Sequence, residues 1–366
     1  MNIVFEAPLN QVSFGNVSYN FLKEFYKLSL LDSSFKISLF PIGDINLSSF
    51  DKMDEQFKNW ISSIINNRYS SLKKDAVSLK LWHINGAEKR ICSKQVLYTF
   101  YELDQPTVAE SAIVGAQDAA VFSSSHASRV FANANLGKVY STPLGFDGDF
   151  FETKKTYMPD KITFLLMGKF EKRKHTDKII KMWAKRFGNN PKFQLNCSII
   201  NPFFNPELMK KIILGYRGLA WNINVLPYVA TNSEVNDIIN SCNIDLSGLS
   251  GAEGWGLPAF NATCLGKWSV VLNATSHRDW ANEQNSVLIN PSAKIEAYDG
   301  AFFNKGGDFN QGYIYDFNED EAMAAIEKAV ALVEAGKVNE QGKLLRQTFT
   351  YEKSVSQIVS IIKEIS

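Results

Sequence analysis

Cysteine and histidine are scarce: the chain has four of each, and Cys92, Cys197, Cys242 and Cys264 stand apart, with no C-x-x-C pair and no histidine cluster beside them. Such spacing suggests neither a zinc site nor a disulfide framework, and no bound metal is expected. Charge of one sign is not in excess either. Lys and Arg number 39 against 38 Asp and Glu, so no global field draws the protein to nucleic acid or an anionic membrane, and any basic site must be local. Met1 is followed by no basic leader with an apolar core, and no stretch approaches the roughly 18 uninterrupted apolar residues of a membrane span. A cytoplasmic protein with reduced thiols and no integral membrane segment is expected.

What is there is an ordinary globular composition, 45% apolar over 366 residues, long enough for two domains. The opening reads as a strand from Asn2 to Phe5, a polar loop through Gln11, Ser13, Gly15 and Asn16, and a helix from about Val17 to Leu28. Further apolar runs at 35–39, 77–82, 95–100, 119–122 and 138–142 alternate with helical stretches such as 54–65 and 125–134. Strands alternating with helices imply a parallel sheet covered on both faces. Gly145, Gly148 and Pro159 then break the pattern, and the alternation restarts at Ile162. Strands at 162–167, 192–199, 223–226, 244–246 and 269–272, with helices at 176–187, 206–214, 232–240 and 258–265, form a second α/β unit. The domains are read as 1–150, 151–350 and a C-terminal helix at 351–366, expected to pack back on the first. Doubly wound sheets take ligands outside the carboxyl ends of their strands, here the cleft between the halves.

The most informative segment is Ser247 to Gly266, SGLSGAEGWGLPAFNATCLG. Its glycines permit tight turns and close backbone approach to a ligand. Pro258 suits a helix start, whose free N–H groups can receive a phosphate. Glu253 is wrong beside phosphate alone but right if it accepts hydrogen bonds from sugar hydroxyls next to that phosphate. It would equally suit a helix N-terminus with no ligand, and the segment alone does not decide. A basic turn, Gly168 to His175, follows strand 162–167 and brackets the same sheet edge with Lys169 and Lys174. Cations there could neutralise a diphosphate leaving group.

These motifs resemble the retaining GT-B glycosyltransferases of family four, glycosyl transferases group 1. The resemblance rests on Gly168-Lys169 with Lys174, Leu226-Pro227, Asp245 and Glu253 to Pro258. Tyr98 to Glu102, Ser123 to Ser125, Pro143 to Asp147 and Phe349 to Lys353 are similar to the same family in the same order. It implies two Rossmann-like doubly wound parallel-sheet domains facing a central cleft, acceptor domain first and nucleotide-sugar donor domain second. It also implies metal-independent transfer with retention, in which the departing diphosphate helps deprotonate the acceptor. No cofactor is implied; a nucleotide-diphosphate sugar is the co-substrate. Glu253, Lys169 and Lys174 would be catalytic. Gly15, Arg173, Gly254, Trp255, Gly256, Leu257 and Asn261 would bind donor, with Asn261 standing where the family has a carboxylate on the ribose and Lys169 where it usually has Arg.

On the acceptor side the candidates are His83, Asn16 and Ser18. A glycan is the favoured acceptor. A hydroxymethylated DNA base, as for phage glucosyltransferases, is the alternative, with Arg68, Lys73, Lys74, Lys89 and Arg90 as its basic surface. A reading of another class is a non-catalytic sugar-nucleotide-binding protein. A phosphorylase is disfavoured because no segment resembles a pyridoxal-phosphate lysine site. The first strand lacks a following G-x-G-x-x-G, which disfavours a dehydrogenase.

Overall fold

The structure, a computed structural model, describes residues 1–132, 138–153, 155 and 157–366. The end of the helix expected over 125–134 and two positions of the 145–160 break lie outside these. The first half runs β1 (Asn2–Ala7), α1 (Ser13–Leu31), β2 (Lys36–Pro41), α2 (Glu55–Asn66), β3 (Val77–Leu81), β4 (Lys94–Thr99), α3 (Val108–Gly115), β5 (Ala119–Phe122), α4 (Ser125–Ala132) and β6 (Val139–Ser141). The second begins with β7 (Ile162–Met167), α5 (Thr176–Phe187), β8 (Phe193–Ser198), α6 (Pro206–Arg217), β9 (Ile223–Val225), α7 (Asn232–Asn240) and β10 (Ile244–Asp245). It continues with α8 (Leu257–Cys264), β11 (Trp268–Leu272), β12 (Val287–Ile289), the hairpin β13 (Ala293–Glu296) and β14 (Tyr313–Asp316), and helices α9 (Glu319–Glu334), α10 (Glu340–Thr348) and α11 (Tyr351–Ile365).

Each half holds a parallel six-stranded sheet, ordered β2-β1-β3-β4-β5-β6 and β12-β11-β10-β7-β8-β9. The expected α/β architecture of two Rossmann-like units is therefore present. β1 and β7 are almost continuously buried, as strands covered by helices on both faces must be. In α1 the buried Phe14, Val17, Ser18, Phe21, Leu22 and Phe25 repeat every three or four residues, which lays one face on the sheet. Strand order reverses beside β1 and β3 in one sheet and between β7 and β10 in the other. Crevices open at such switch points, outside the carboxyl ends. The second crevice is therefore bordered by the turn after Met167 and the loop after Asp245.

Two local readings are corrected. Helix α1 starts at Ser13, so Gly15 and Asn16 lie in its first turn rather than in the preceding loop. A Cβ on Gly15 would stand 2.2 Å from the Asn10 carbonyl oxygen, so the glycine lets the loop fold tightly over the helix start. Helix α8 begins at Leu257, with Pro258 second. Strand β12, the hairpin and α10 extend the second half beyond the expected elements. Helix α11 crosses to the first half, where Tyr351 meets Phe21 edge to face at 6.0 Å between centroids and Lys94 donates to the Ile365 carbonyl at 2.5 Å. Among the described residues no helix is long and apolar enough to cross a membrane.

Candidate active site

A cavity of about 300 Å³ lies between the halves. The first half contributes the α1 start, Phe100 and Glu102; the second contributes Gly168, Lys169, Arg173, Lys174 and the 253–258 loop with Asn261. Neither α1 nor α8 has a side-chain cap at its N-terminus, and both starts line this cavity. Unsatisfied N–H groups and the positive ends of two helix dipoles thus face one space, which favours an anion there.

The glycine loop reaches this position because side chains would not fit. A Cβ on Gly254 would stand 2.8 Å from the Cβ of Phe100, and Ser123 Oγ donates to the Gly254 carbonyl at 2.7 Å, so the loop rests directly on the first half. Gly256, the residue before α8, has φ 81°, and a Cβ there would stand 2.7 Å from His277 Nε2. Both demands leave little alternative to glycine. Trp255 is buried and packs edge to face on Phe260 and Phe349, each at 5.4 Å between centroids. Leu257 and Pro258 line the cavity at the helix start.

Glu253 is the centre of a buried charge network. Lys174 Nζ donates to its Oε1 at 2.5 Å, and Arg173 Nη1 lies 3.1 Å from its Oε2. Burial alone would push this carboxyl up; Lys174 and then Arg173 overcome that and hold it far below the usual carboxylate range. Arg173 also pairs with Glu171 at 2.8 Å and donates to the Ala252 carbonyl at 2.7 Å, which clamps the basic turn to the glycine loop. Lys169 lies 3.5 Å from Glu171 and over the rings of Phe203 and Phe302, at 5.0 and 5.7 Å from their centroids. Burial lowers its pKa, which Glu171 opposes. Asn261 is buried at the cavity wall, and its Oδ1 has no hydrogen-bond partner among the described residues. An orphaned buried acceptor of this kind is costly unless a ligand supplies a donor.

The acceptor-side candidates separate. Asn16 lines the cavity and accepts from the Asn20 amide at 3.3 Å. His83 is not part of the cavity wall; its ring stands 4.5 Å from that of Phe14, and partial removal from water and then the Lys169 charge push its imidazole pKa down. Ser18 does not reach the site. It is fully buried, and its hydroxyl donates to the Phe14 carbonyl one turn back, at 2.8 Å. Gly15 shapes the loop over α1 and is not part of the cavity wall. Of the basic residues considered for DNA, Arg90 is committed to Asp118 at 3.0 Å and Arg68 to the Ile65 carbonyl at 2.7 Å.

The sequence motifs contain Glu102 and Asp147 but assign them no role, and they do not include the wall formed by Ile200, Pro202, Tyr228 and Val229. For Glu102 the apolar character of its two neighbours is a partial signal of which way it faces, though not of what it meets. Its neighbours Tyr101 and Leu103 are core residues, at 2% and 1% exposure, so alternation along the extended segment turns Glu102 the other way, into the cleft.

The sequence matches no protein-family model, and no curated protein matches it. Among solved structures it is similar over its full length to a sucrose-phosphate synthase from Thermosynechococcus elongatus, at 12% identity, TM-score 0.69 and 99% of that chain. A glycosyltransferase from Rickettsia africae is similar at 11% identity and TM-score 0.68, over 100% of this chain and 98% of that one. Anabaena HepE in complex with UDP is similar at 13% identity and TM-score 0.65, over the whole of both chains; HepE has also been solved with UDP-glucose. The fold shared with these proteins is the GT-B fold, two Rossmann-like halves about a cleft.

Proposed function

We propose that this protein is a glycosyltransferase that moves a sugar from a nucleoside diphosphate donor to an acceptor hydroxyl on a glycan, with retention of anomeric configuration. The observation that carries this reading is the buried Glu253–Lys174–Arg173 network lying beside the uncapped start of α8. A pyrophosphate arriving there competes with Glu253 for Lys174 and Arg173 and also meets the α8 amides and Lys169. Each charge-assisted contact is worth roughly 1.5–3 kcal/mol. Glu253, relieved of Lys174, then turns its carboxylate to hydroxyls of the donor sugar. The exchange matches charge to charge: a diphosphate needs cations, a sugar needs an acceptor.

Asn261, with its orphaned Oδ1, takes a ribose hydroxyl. The diphosphate charge that grows during transfer is met by three cations and a helix start, which support reaction without a metal ion. Structural similarity to HepE, solved with UDP and with UDP-glucose, supports a uridine nucleotide as donor.

A mass-spectrometric screen of nucleotide sugars against pooled glycans and hydroxymethylated DNA tests the reading. One added sugar on a glycan is the expected product. Donor binding with neither transfer nor hydrolysis would instead make the protein a sugar-nucleotide-binding module, and label on DNA would move the acceptor.

A further inference from the structure

Glu102 sits at the carboxyl edge of the first sheet, three residues beyond the end of β4, and lines the cavity opposite the second half's charged cluster. Its backbone is pinned on both sides. Tyr101 is buried and donates through its hydroxyl to Glu110 at 3.2 Å, and Leu103 is buried in the core beneath. Yet the Glu102 carboxylate, half-buried, makes no hydrogen bond or ion pair among the described residues. Every neighbouring carboxylate is answered: Glu171 and Glu253 by Arg173 and the lysines, Asp104 by Lys294 at 2.7 Å, Glu110 by the α3 cap and Asn310 N–H. A rigidly presented carboxylate left without a hydrogen bond in a cleft, with the Arg173 and Lys174 charges nearby but not in contact, costs stability and explains nothing about the fold.

The geometry points to Glu102 as the catalytic base of the transfer, the group that accepts the attacking hydroxyl of the acceptor and takes its proton. This rests on the reading above and departs from it at one point: the proton goes first to a side chain of the first half rather than to the leaving diphosphate. In the step, the acceptor oxygen forms its bond to the anomeric carbon on the same face from which the diphosphate departs, which keeps the configuration, while its proton passes to Glu102. The bond from that carbon to the diphosphate oxygen breaks, and its electron pair leaves with the diphosphate. Glu102 then gives up the proton to water as products depart.

The surrounding charges favour this role. Burial raises the Glu102 carboxyl pKa; Arg173 and Lys174 oppose the rise, while Glu253 and Glu171 add to it. A bound diphosphate adds negative charge to this setting, so Glu102 becomes more basic with donor in place.

The test compares wild type with Glu102→Gln, using UDP binding by calorimetry, melting temperature, donor hydrolysis and the pH dependence of transfer. The variant is expected to melt and bind UDP as wild type does, to lose transfer by ~100-fold or more, and to lose the acid limb of the pH profile. Glu102→Asp should restore part of the rate with an acid limb. Transfer at the wild-type rate with UDP binding intact would overturn this inference alone. A loss of rate matched by a lower melting temperature, with the acid limb retained, would make Glu102 structural and overturn it too. If wild type does not bind UDP, the functional reading falls and this one with it.

Discussion

Lys174 and Glu253 hold each other at 2.5 Å, so neither is free until a ligand arrives. Substitutions at the two positions should therefore diverge. Lys174→Ala removes a phosphate ligand and strands a carboxylate that Arg173 only partly answers; UDP affinity is expected to fall about 10-fold or more by calorimetry. Glu253→Gln keeps the shape and releases both cations, so UDP is expected to bind at least as tightly while transfer is lost. Weaker UDP binding in Glu253→Gln would contradict the exchange. The members of this network were legible as motifs because a basic turn and a glycine-rich loop each follow a strand. Their pairing was not, since the two residues lie 79 positions apart and the packing of β7 beside β10 joins them. Glu102 was harder still: nothing in a linear chain measures the distance from a first-half carboxylate to second-half cations.

Among the elements, the two-residue strand β10 has the largest effect on the site, because the glycine loop hangs from it. Its last residue, Asp245, is fully buried, accepts from Ser247 Oγ at 2.7 Å and has one oxygen without a partner among the described residues. Ser247 in turn accepts from the Met167 N–H at 2.8 Å, tying the loop to the end of β7. Burial raises the Asp245 pKa to about 6, against the hydrogen bonds of Ser247. The folded state thus holds this proton more tightly than the unfolded chain. Its contribution to stability is complete below the ordinary value of 3.8 and is lost as pH rises through about 6, on the order of 3 kcal/mol in all. Melting temperatures from pH 4 to 8 should fall through that window in wild type and less so in Asp245→Asn; parallel curves would refute the assignment.

Elements with a clear period, such as β1, α1 and β7, were legible in the sequence, though α1 begins four residues earlier than its apolar stripe suggests. Helix α10 was not: Gly342 interrupts its pattern, and the glycine is there because a Cβ would stand 2.5 Å from the Thr263 carbonyl oxygen. The hairpin was hidden because β13 and β14 are four residues each and the chain between them carries no period.

Across the whole molecule, the halves are joined at more than the chain crossing. The hairpin strands reach the first half, where Asp104 pairs with Lys294 of β13 at 2.7 Å and accepts from the Tyr313 N–H of β14 at 3.0 Å. Asp279 accepts from both the backbone and hydroxyl of Ser125. Near the crossing, Asp149 is shared between Lys23 of α1, at 2.8 Å, and Asn232 of α7, at 3.2 Å. These contacts hold the α1 and α8 starts against one cavity, an arrangement that follows from two switch points facing each other. The crystal structure of the protein soaked with UDP tests this most directly. The expected density places the diphosphate at the start of α8 against Lys174, with Glu253 released from that lysine. Phosphates bound elsewhere, with the Lys174–Glu253 pair undisturbed, would contradict it.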